Sequence, residues 1–229
     1  CITFRVGDFI GSWDEGDSAL LQHTVASAGV GVDIADIAGI GDKVKNGLIT
    51  HSGKVPILKS IDTTIGKASQ NGRRGSATGY VNFFDPEIES IFALKSPRMP
   101  VEDRINDLSY GIKLNQLVYD RAKRGGVISL FSVRKAPKLY ELFYSADVEA
   151  FTKHYEECEA AELYSSQIDA QDFWERLVAV ESAETSSYYI VNIDEMNANS
   201  HITRPITQAN ICVEYMTGTL PLSPQHKHR

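Results

Sequence analysis

The sequence contains few of the residues that build covalent or metal-held frameworks. Its three cysteines, Cys1, Cys158 and Cys212, are odd in number, lie far apart and form no Cys-x-x-Cys pair. A disulfide scaffold or a structural zinc site is therefore not expected, and a reducing compartment is favoured. The six histidines form no His-Glu-x-x-His motif, so no metal site is predicted in this chain.

Long apolar runs and an excess of positive charge are also missing. No stretch approaches the roughly 20 consecutive apolar residues of a membrane-spanning helix, and no signal-peptide pattern is recognised. The 23 Lys and Arg residues against 30 Asp and Glu residues give a net charge of −7, which disfavours non-specific binding to nucleic acids. We therefore expect a cytoplasmic protein that binds neither nucleic acid nor membrane.

The remaining composition is typical of a globular protein. With 229 residues, of which 42% are hydrophobic, the chain can bury a core without covalent crosslinks. We predict one body over residues 1–215 and a separate tail over 216–229, because the tail contains prolines and lacks periodicity. The start at Cys1 and the basic end at 225–229 fit a truncated sequence, a split-gene product or a piece flanked by an intein.

The spacing of apolar residues predicts an α/β protein with a largely parallel sheet. Leu58, Ile61 and Ile65 recur at three- and four-residue intervals, which indicates a helix. Runs rich in β-branched and aromatic residues indicate strands, and their alternation with helices favours parallel pairing. Strands are predicted at 1–10, 77–84, 127–131 and 188–191, and helices at 14–28, 55–68, 88–94, 114–122, 139–144, 148–163 and 170–183.

The short segment 210–214 combines an amide, a thiol and a carboxylate. If this segment is a strand, residues two apart share a face, so Asn210, Cys212 and Glu214 project side by side. Such a set provides a hydrogen-bonding group, a redox or nucleophilic centre and a proton acceptor. From spacing alone, a buried free cysteine flanked by polar residues is the simpler interpretation.

Two glycine-rich segments, 28–47 and 70–76, are candidates for nucleotide or phosphate binding. The second contains a double arginine between glycines, which suits phosphate recognition. Neither segment matches a P-loop or a Gly-x-Gly-x-x-Gly fingerprint, and an ordinary surface turn is the simpler explanation of each. His51 is interpreted as a loop-capping residue, and Cys158 as an incidental thiol whose pKa is raised by neighbouring acids.

Taken in order, a series of short motifs resembles the large, catalytic subunit of class I ribonucleotide reductase. The resemblance runs from Cys1 to about Glu214 and implies roughly the first half of a ten-stranded α/β barrel, with the radical cysteine on a central finger loop. The motifs are Cys1 with Gly7-Asp8, then Ala28-Gly29-Val30-Gly31-Val32, His51-Ser52-Gly53, Ser69-Gln70-Asn71-Gly72-Arg73-Arg74-Gly75, Asp107-Leu108-Ser109-Tyr110-Gly111-Ile112, Leu130-Phe131-Ser132 and Asn210-Ile211-Cys212-Val213-Glu214.

The resemblance implies thiyl-radical chemistry that reduces ribonucleotides to deoxyribonucleotides. Cys212 matches the cysteine whose radical abstracts the 3′ hydrogen of the ribose, and Glu214 matches the carboxylate that accepts the 3′-hydroxyl proton. Asn210 matches the amide that orients the substrate hydroxyls. Cys1 matches one thiol of the pair that supplies two electrons and becomes a disulfide. The implied substrate-binding residues are Ala28, Gly29, Asn210 and Glu214.

The resemblance also implies an allosteric site for deoxynucleoside triphosphates or ATP. Asp8 matches the start of this effector site, and Gln70 and Arg74 match the loop that relays the identity of the effector to the substrate base. Family members often carry arginine near Ala38 and Lys45, whereas this chain keeps only a cation at the second position. The predicted effector-binding residues are therefore Asp8, Lys45, Gln70 and Arg74, with the effector preference left open.

The implied partners follow from the same family. We expect a metal-containing small subunit that generates the radical, thioredoxin or glutaredoxin as reductant, and a homodimer, with no cofactor bound by this chain itself. Because later motifs of the family are missing, activity is expected to require a complementary carboxy-terminal piece of the large subunit. The alternative is a non-catalytic nucleotide-binding and dimerisation module, and a glycyl-radical relative is a third interpretation.

Overall fold

The computed structural model describes residues 1–67, 75–105, 107–182 and 185–225. Among the described helices, none is long and apolar enough to cross a lipid bilayer. The strands are β1 (Ile2–Arg5), β2 (Val30–Asp33), β3 (Lys43–Val44), β4 (Ile49–Thr50), β5 (Ala77–Asn82), β6 (Leu108–Leu114), β7 (Val127–Leu130), β8 (Ser166–Asp169), β9 (Tyr188–Asn192), β10 (Gln208–Ala209) and β11 (Met216–Thr217). The helices are α1 (Ile10–Val25), α2 (Val55–Lys67), α3 (Ile88–Ala93), α4 (Gln116–Arg124), α5 (Pro137–Phe143), α6 (Val148–Ala160), α7 (Ala170–Glu175) and α8 (Ile193–Ala198), with a 3-10 turn at Val101–Asp103 and a π-helical stretch at Arg176–Ser182.

The central feature is a five-stranded sheet in the order β1-β2-β5-β6-β9, in which every neighbouring pair is parallel. The predicted α/β class with a parallel sheet is therefore confirmed. Each new strand is added on the same side of the last, so right-handed crossovers place the connecting helices on one face. Within the described residues the sheet stays open at β1 and β9, which is consistent with part of a barrel.

Continuous burial distinguishes the middle strands. All residues of β2 and β5 are buried, as in parallel sheets that are covered on both faces. Because β2 lies inside the glycine-rich segment 28–47, the interpretation of that segment as a loop is wrong at its start. Gly31 is required there because β10 packs closely against β2. A Cβ at position 31 would lie 2.3 Å from the carbonyl oxygen of Ala209 in β10.

Several predicted elements differ in detail. Helix α1 starts at Ile10, before the predicted residue 14, and the helix predicted over 170–183 changes from α to π at Arg176. Strand β7 pairs antiparallel with β8 in a separate two-stranded sheet, so it does not extend the main sheet. Patterning does not predict β6, because Gly111 and Lys113 interrupt its apolar residues. By contrast, α2 and β9 form where predicted.

An aromatic cluster closes the carboxyl end of β5. Phe83 and Phe84 follow the strand directly and contact Phe143 of α5 and Phe151 and Tyr155 of α6, with ring centroids 5.1 to 6.5 Å apart. Such aromatic pairs contribute about 0.5–1.5 kcal/mol each beyond their area burial. The cluster therefore attaches α5 and α6 firmly to the sheet.

The described residues beyond 215 contact the main body. Strand β11 pairs antiparallel with β10, and the backbone N–H of Leu222 donates to the carbonyl oxygen of Arg5 at 2.9 Å. This hydrogen bond covers part of the outer edge of β1, where the backbones of Arg5 and Pro221 also form an isolated parallel β-bridge. The domain boundary at residue 215 stays a prediction.

Candidate active site

Residues 210–214 form the turn between β10 and β11, so the strand predicted there is wrong. The two strands pair antiparallel, with Gln208 opposite Thr217 and Ala209 opposite Met216, and the chain must reverse between them. Val213 adopts φ +64°, a left-handed conformation that is incompatible with a regular strand. The alternation of side chains across a strand therefore does not determine how Asn210, Cys212 and Glu214 are arranged.

Strand β5 anchors this turn through two side chains. The hydroxyl of Thr78 donates to the carbonyl oxygen of Ile211 at 2.8 Å, and the hydroxyl of Tyr80 donates to the carbonyl oxygen of Asn210. Thr78 and Tyr80 are two residues apart and share one face of the strand. On the opposite face, Gly79 approaches Leu58 of α2, so the hairpin and α2 cover different sides of the sheet.

The turn holds an amide and a carboxylate in direct contact. Nδ2 of Asn210 donates to Oε1 of Glu214 at 2.5 Å, while Oδ1 of Asn210 accepts from the backbone N–H of Tyr215 at 3.0 Å. These two bonds together define the orientation of the amide. The carboxylate of Glu214 is therefore positioned by the Asn210 amide, which the backbone of the same turn orients.

Cys1 joins this pair from the other end of the chain. Its thiol lies 3.9 Å from Oε1 of Glu214, although the two residues are 213 positions apart. The parallel register of β1 and β2 explains the approach, because the N–H of Ile2 bonds to the carbonyl of Gly29, and Ile211 packs on Gly29. A Cβ at Gly29 would lie 2.9 Å from Cγ2 of Ile211, so this position accommodates the turn itself.

Cys212 is exposed, as is Cys1, whereas the sequence interpretation expects an enclosed thiol at position 212. Cys212 nevertheless lies near the tyrosine that anchors the turn. Burial is the main cause that raises the pKa of Tyr80, and the charges of Cys212 and Glu214 are among the smaller ones. The structure thus brings Asn210, Glu214 and Cys1 together and leaves Cys212 on the accessible side of the turn.

The predicted effector residues lie elsewhere. Asp8 follows the carboxyl end of β1 and pairs with Arg134, and Lys45 lies exposed in the β3–β4 hairpin with φ +48°. Gln70 and Arg74, and most of the candidate phosphate loop at 70–76, lie outside the described residues. His51 caps its turn as predicted, since its Nδ1 accepts from the N–H of Gly53 at 3.0 Å.

A buried ionic group at the carboxyl ends of the strands escapes sequence reasoning. Nζ of Lys113 on β6 lies 2.8 Å from Oδ1 of Asp33 on β2 and 2.8 Å from the hydroxyl of Tyr144, and it also donates to the carbonyl of Thr207 at 3.1 Å. Arg5 on β1 adds a pair with Asp36 at 2.7 Å. Polar residues at the carboxyl ends of parallel strands are the signal that predicts such a group.

Burial is the main cause of the pKa shifts of Lys113 and Asp36 in this group. It lowers the pKa of the Lys113 ammonium, and the nearby carboxylate of Asp33 opposes that shift. It also raises the pKa of Asp36, against the opposing charge of Arg5. Removing one partner would leave an uncompensated buried charge, which typically costs about 3–5 kcal/mol. The group therefore holds the carbonyl of Thr207, and with it the start of the β10–β11 hairpin, against the sheet.

Cys158 lies apart from these groups, in α6. Burial raises the pKa of its thiol most, and the charges of Glu157 and Glu159 raise it further, which confirms the predicted influence of the acids. Its sulfur is 3.7 Å from Nε2 of His154. In the part of the chain that the structure describes, no three His, Cys, Asp or Glu side chains are grouped to hold a metal ion.

The sequence matches one known family and several curated proteins. The family described as ribonucleotide reductase, barrel domain, matches residues 1–222. Ribonucleoside-diphosphate reductase 1 subunit alpha from Salmonella typhimurium and from Escherichia coli are each 32% identical over 228 residues, or 97% of this chain. Ribonucleoside-diphosphate reductase subunit alpha from Haemophilus influenzae is 31% identical over 227 residues. The chain spans 30% of the length of these curated relatives.

Proposed function

Because the chain belongs to the ribonucleotide reductase barrel-domain family, we propose that it is a segment of the catalytic subunit of a ribonucleoside-diphosphate reductase, an oxidoreductase that supplies deoxyribonucleotides for DNA synthesis. The contact of Asn210, Glu214 and Cys1 carries the proposal. An amide, a carboxylate and a thiol from opposite ends of the chain meet at one turn, beside the residue predicted to carry the radical.

The proposed reaction starts with a hydrogen atom transfer. A thiyl radical on Cys212 abstracts the 3′ hydrogen of the ribose, and the carboxylate of Glu214 accepts the 3′-hydroxyl proton. The 2′-hydroxyl then leaves as water after protonation. Asn210 orients the hydroxyls, and this positioning supplies much of the rate advantage of such a site. The hydrogen bond between the side chains of Asn210 and Glu214 supports the proposal that both contact the same sugar.

The electrons for the reduction come from two thiols. Cys1 and a second cysteine, which the complementary carboxy-terminal piece would contribute, give two electrons and two protons and form a disulfide. One water and one deoxyribose result, and the 3′ hydrogen returns from Cys212, which regenerates its radical. The exposure of Cys1 fits a thiol that thioredoxin or glutaredoxin must restore through the assembled subunit.

The exposure of Cys212 limits what this chain does alone. A thiyl radical has to be shielded from solvent, so the complementary piece is proposed to cover the turn at 210–214. We further propose that the substrate contacts the backbone at Ala28 and Gly29, that a metal-containing small subunit provides the radical, and that the assembled large subunit is a homodimer.

The proposed effector site binds ATP or a deoxynucleoside triphosphate. Asp8 and Lys45 belong to its described part, and the roles of Gln70 and Arg74 rest on the resemblance of their motif. Asp8 follows the carboxyl end of β1, whereas Cys1, which contacts Glu214, precedes the amino end of that strand. The two proposed sites are therefore separate, which makes the regulation allosteric. A non-catalytic nucleotide-binding and dimerisation module remains the alternative function.

The test is reconstitution of CDP reduction. The chain is co-expressed with candidate complementary pieces and assayed with a small subunit and a dithiol, and activity is expected only in the assembly. Cys212→Ser should abolish that activity, whereas Cys158→Ala, a change in a thiol remote from the site, should retain it. Activity of Cys212→Ser would overturn the catalytic assignment. Triphosphate binding with no activity in any assembly would favour the non-catalytic module.

A further inference from the structure

Asp8 is the predicted effector residue whose surroundings are best described, and two basic side chains face it. Arg134, in the segment after β7, pairs with Oδ2 of Asp8 through its Nη2. Nε2 of His51 lies 3.8 Å from the other carboxylate oxygen, Oδ1. The two side chains reach Asp8 from distant parts of the chain.

A series of hydrogen bonds links Arg134 to the turn that follows Ala38. The backbone N–H of Gly39 donates to Oδ2 of Asp42 at 2.8 Å, and the hydroxyl of Ser132 donates to the same oxygen at 2.6 Å. The backbone N–H of Arg134 then donates to the hydroxyl oxygen of Ser132 at 3.0 Å. The backbone of Arg134 is therefore linked through Ser132 and Asp42 to Gly39, the residue after Ala38, near which family members often carry arginine.

His51 provides an independent sign of a binding site. Because Nδ1 accepts from the N–H of Gly53, the proton of the neutral ring lies on Nε2. This Nε2 is buried and has no hydrogen-bond partner among the described residues. Buried polar atoms in proteins are normally paired, so an unpaired donor beside Asp8 points to a ligand atom that accepts from it.

A cavity opens next to these groups. It has a volume of about 180 Å³ and lies between α1 and α2, and its lining includes Phe4, Trp13, Val32, His51 and Ile61. This volume is smaller than the roughly 300 Å³ at which small-molecule pockets begin, so it suits only the apolar part of a nucleotide. The charged part would then lie outside, at Asp8 and Arg134.

We propose that Arg134 is a phosphate-binding cation of the nucleotide effector site at Asp8 and takes the place of the arginine missing at Ala38. The inference rests on the proposed function, because it adds a residue to that effector site. The side chain of Arg134 is 48% exposed and that of Asp8 is 15% exposed, so a phosphate can reach the guanidinium from solvent without displacing the largely buried carboxylate. A guanidinium carries several N–H donors and binds phosphate oxygens through two of them at once.

Equilibrium binding of dTTP to the 229-residue chain, measured by calorimetry, tests the inference. Arg134→Gln should weaken dTTP binding by about tenfold or more, because it removes a charge-assisted bond to phosphate. It should also reduce the dependence of the affinity on salt concentration, whereas binding of thymidine, which lacks phosphates, should not change. Arg134→Lys keeps the charge and should recover part of the affinity for dTTP.

The control is Arg124→Gln, which removes an exposed arginine at the end of α4, the helix that follows β6. It should leave dTTP binding unchanged. If wild-type chain binds dTTP and Arg134→Gln binds it equally well, the assignment of Arg134 is overturned while the proposed effector site stands. If wild-type chain does not bind dTTP, the effector site itself is overturned, and the assignment of Arg134 with it.

Discussion

At the scale of residues, Gly53 illustrates how closely the loops around the candidate sites are packed. Its backbone adopts φ +88°, and a Cβ would lie 2.3 Å from Oε2 of Glu87. That carboxylate accepts from the backbone N–H groups of Lys54 and Ile40, which joins the turn at His51 to the segment before β3. Gly53 is therefore required both by its backbone conformation and by the carboxylate beside it.

Gly53→Ala is expected to lower the free energy of unfolding by about 2 kcal/mol or more, from left-handed strain and the clash with Glu87. Chemical denaturation measures this change. The matched control is Gly66→Ala in α2, where a Cβ would meet nothing within 4 Å and alanine should stabilise the helix by about 0.5–1 kcal/mol. Equal effects of the two substitutions would contradict the packing described at Gly53.

At the scale of elements, the β10–β11 hairpin carries the candidate catalytic residues across one face of the parallel sheet. Its start is held by the bond from Lys113 to the carbonyl of Thr207, and its turn by Thr78 and Tyr80. Between these anchors it passes so close to Gly31 that no side chain fits. The position of Asn210 and Glu214 therefore depends on the spacing between hairpin and sheet.

Gly31→Ala is expected to push the hairpin away from β2, because the new Cβ would lie 2.3 Å from the carbonyl oxygen of Ala209. Amide hydrogen exchange over 208–217 should become faster, and reconstituted activity should fall by about a hundredfold, since small misplacements of reacting groups are that costly. Gly79→Ala is the control, because its nearest neighbour is the flexible end of Leu58 at 3.2 Å. Unchanged exchange in Gly31→Ala would contradict the close contact.

At the scale of the whole molecule, several tyrosines are buried within and around the sheet. Burial is the main cause that raises the pKa of Tyr80, Tyr110, Tyr140, Tyr144 and Tyr155 above the ordinary value. The folded state therefore favours the neutral phenol. The stability that these groups contribute is complete below about pH 10 and is lost as the pH rises towards the folded values, because the unfolded chain releases its protons first.

The free energy of unfolding, measured by chemical denaturation between about pH 8 and pH 11, should therefore fall above pH 10. The expected slope is up to about 1.4 kcal/mol per pH unit for each buried tyrosine. Tyr110→Phe should make this decline shallower. Near neutral pH it should cost little stability, since the buried hydroxyl has no hydrogen-bond partner among the described residues. The control is Tyr215→Phe, which alters an exposed ring. A decline as steep in Tyr110→Phe as in the wild-type chain would contradict this account.

Local patterns predicted part of the fold and little of the site geometry. The apolar spacing in α2 and the β-branched and aromatic residues of β9 were sufficient, because both signals are contained in a few neighbouring residues. The same reasoning failed at 210–214, where antiparallel pairing of β10 with β11 turned an apparent strand into a turn. Propensity for a strand is weak when tertiary packing determines where the chain must reverse.

The amino-acid sequence by itself determined the α/β class and the family, because strand and helix periodicities and the order of short motifs are properties of neighbouring residues. Only the tertiary structure decided which distant groups meet: Cys1 with Glu214, Lys113 with Asp33, and Arg134 with Asp8. These contacts depend on the register of parallel strands and on the path of the connections, and neither is encoded within a single segment.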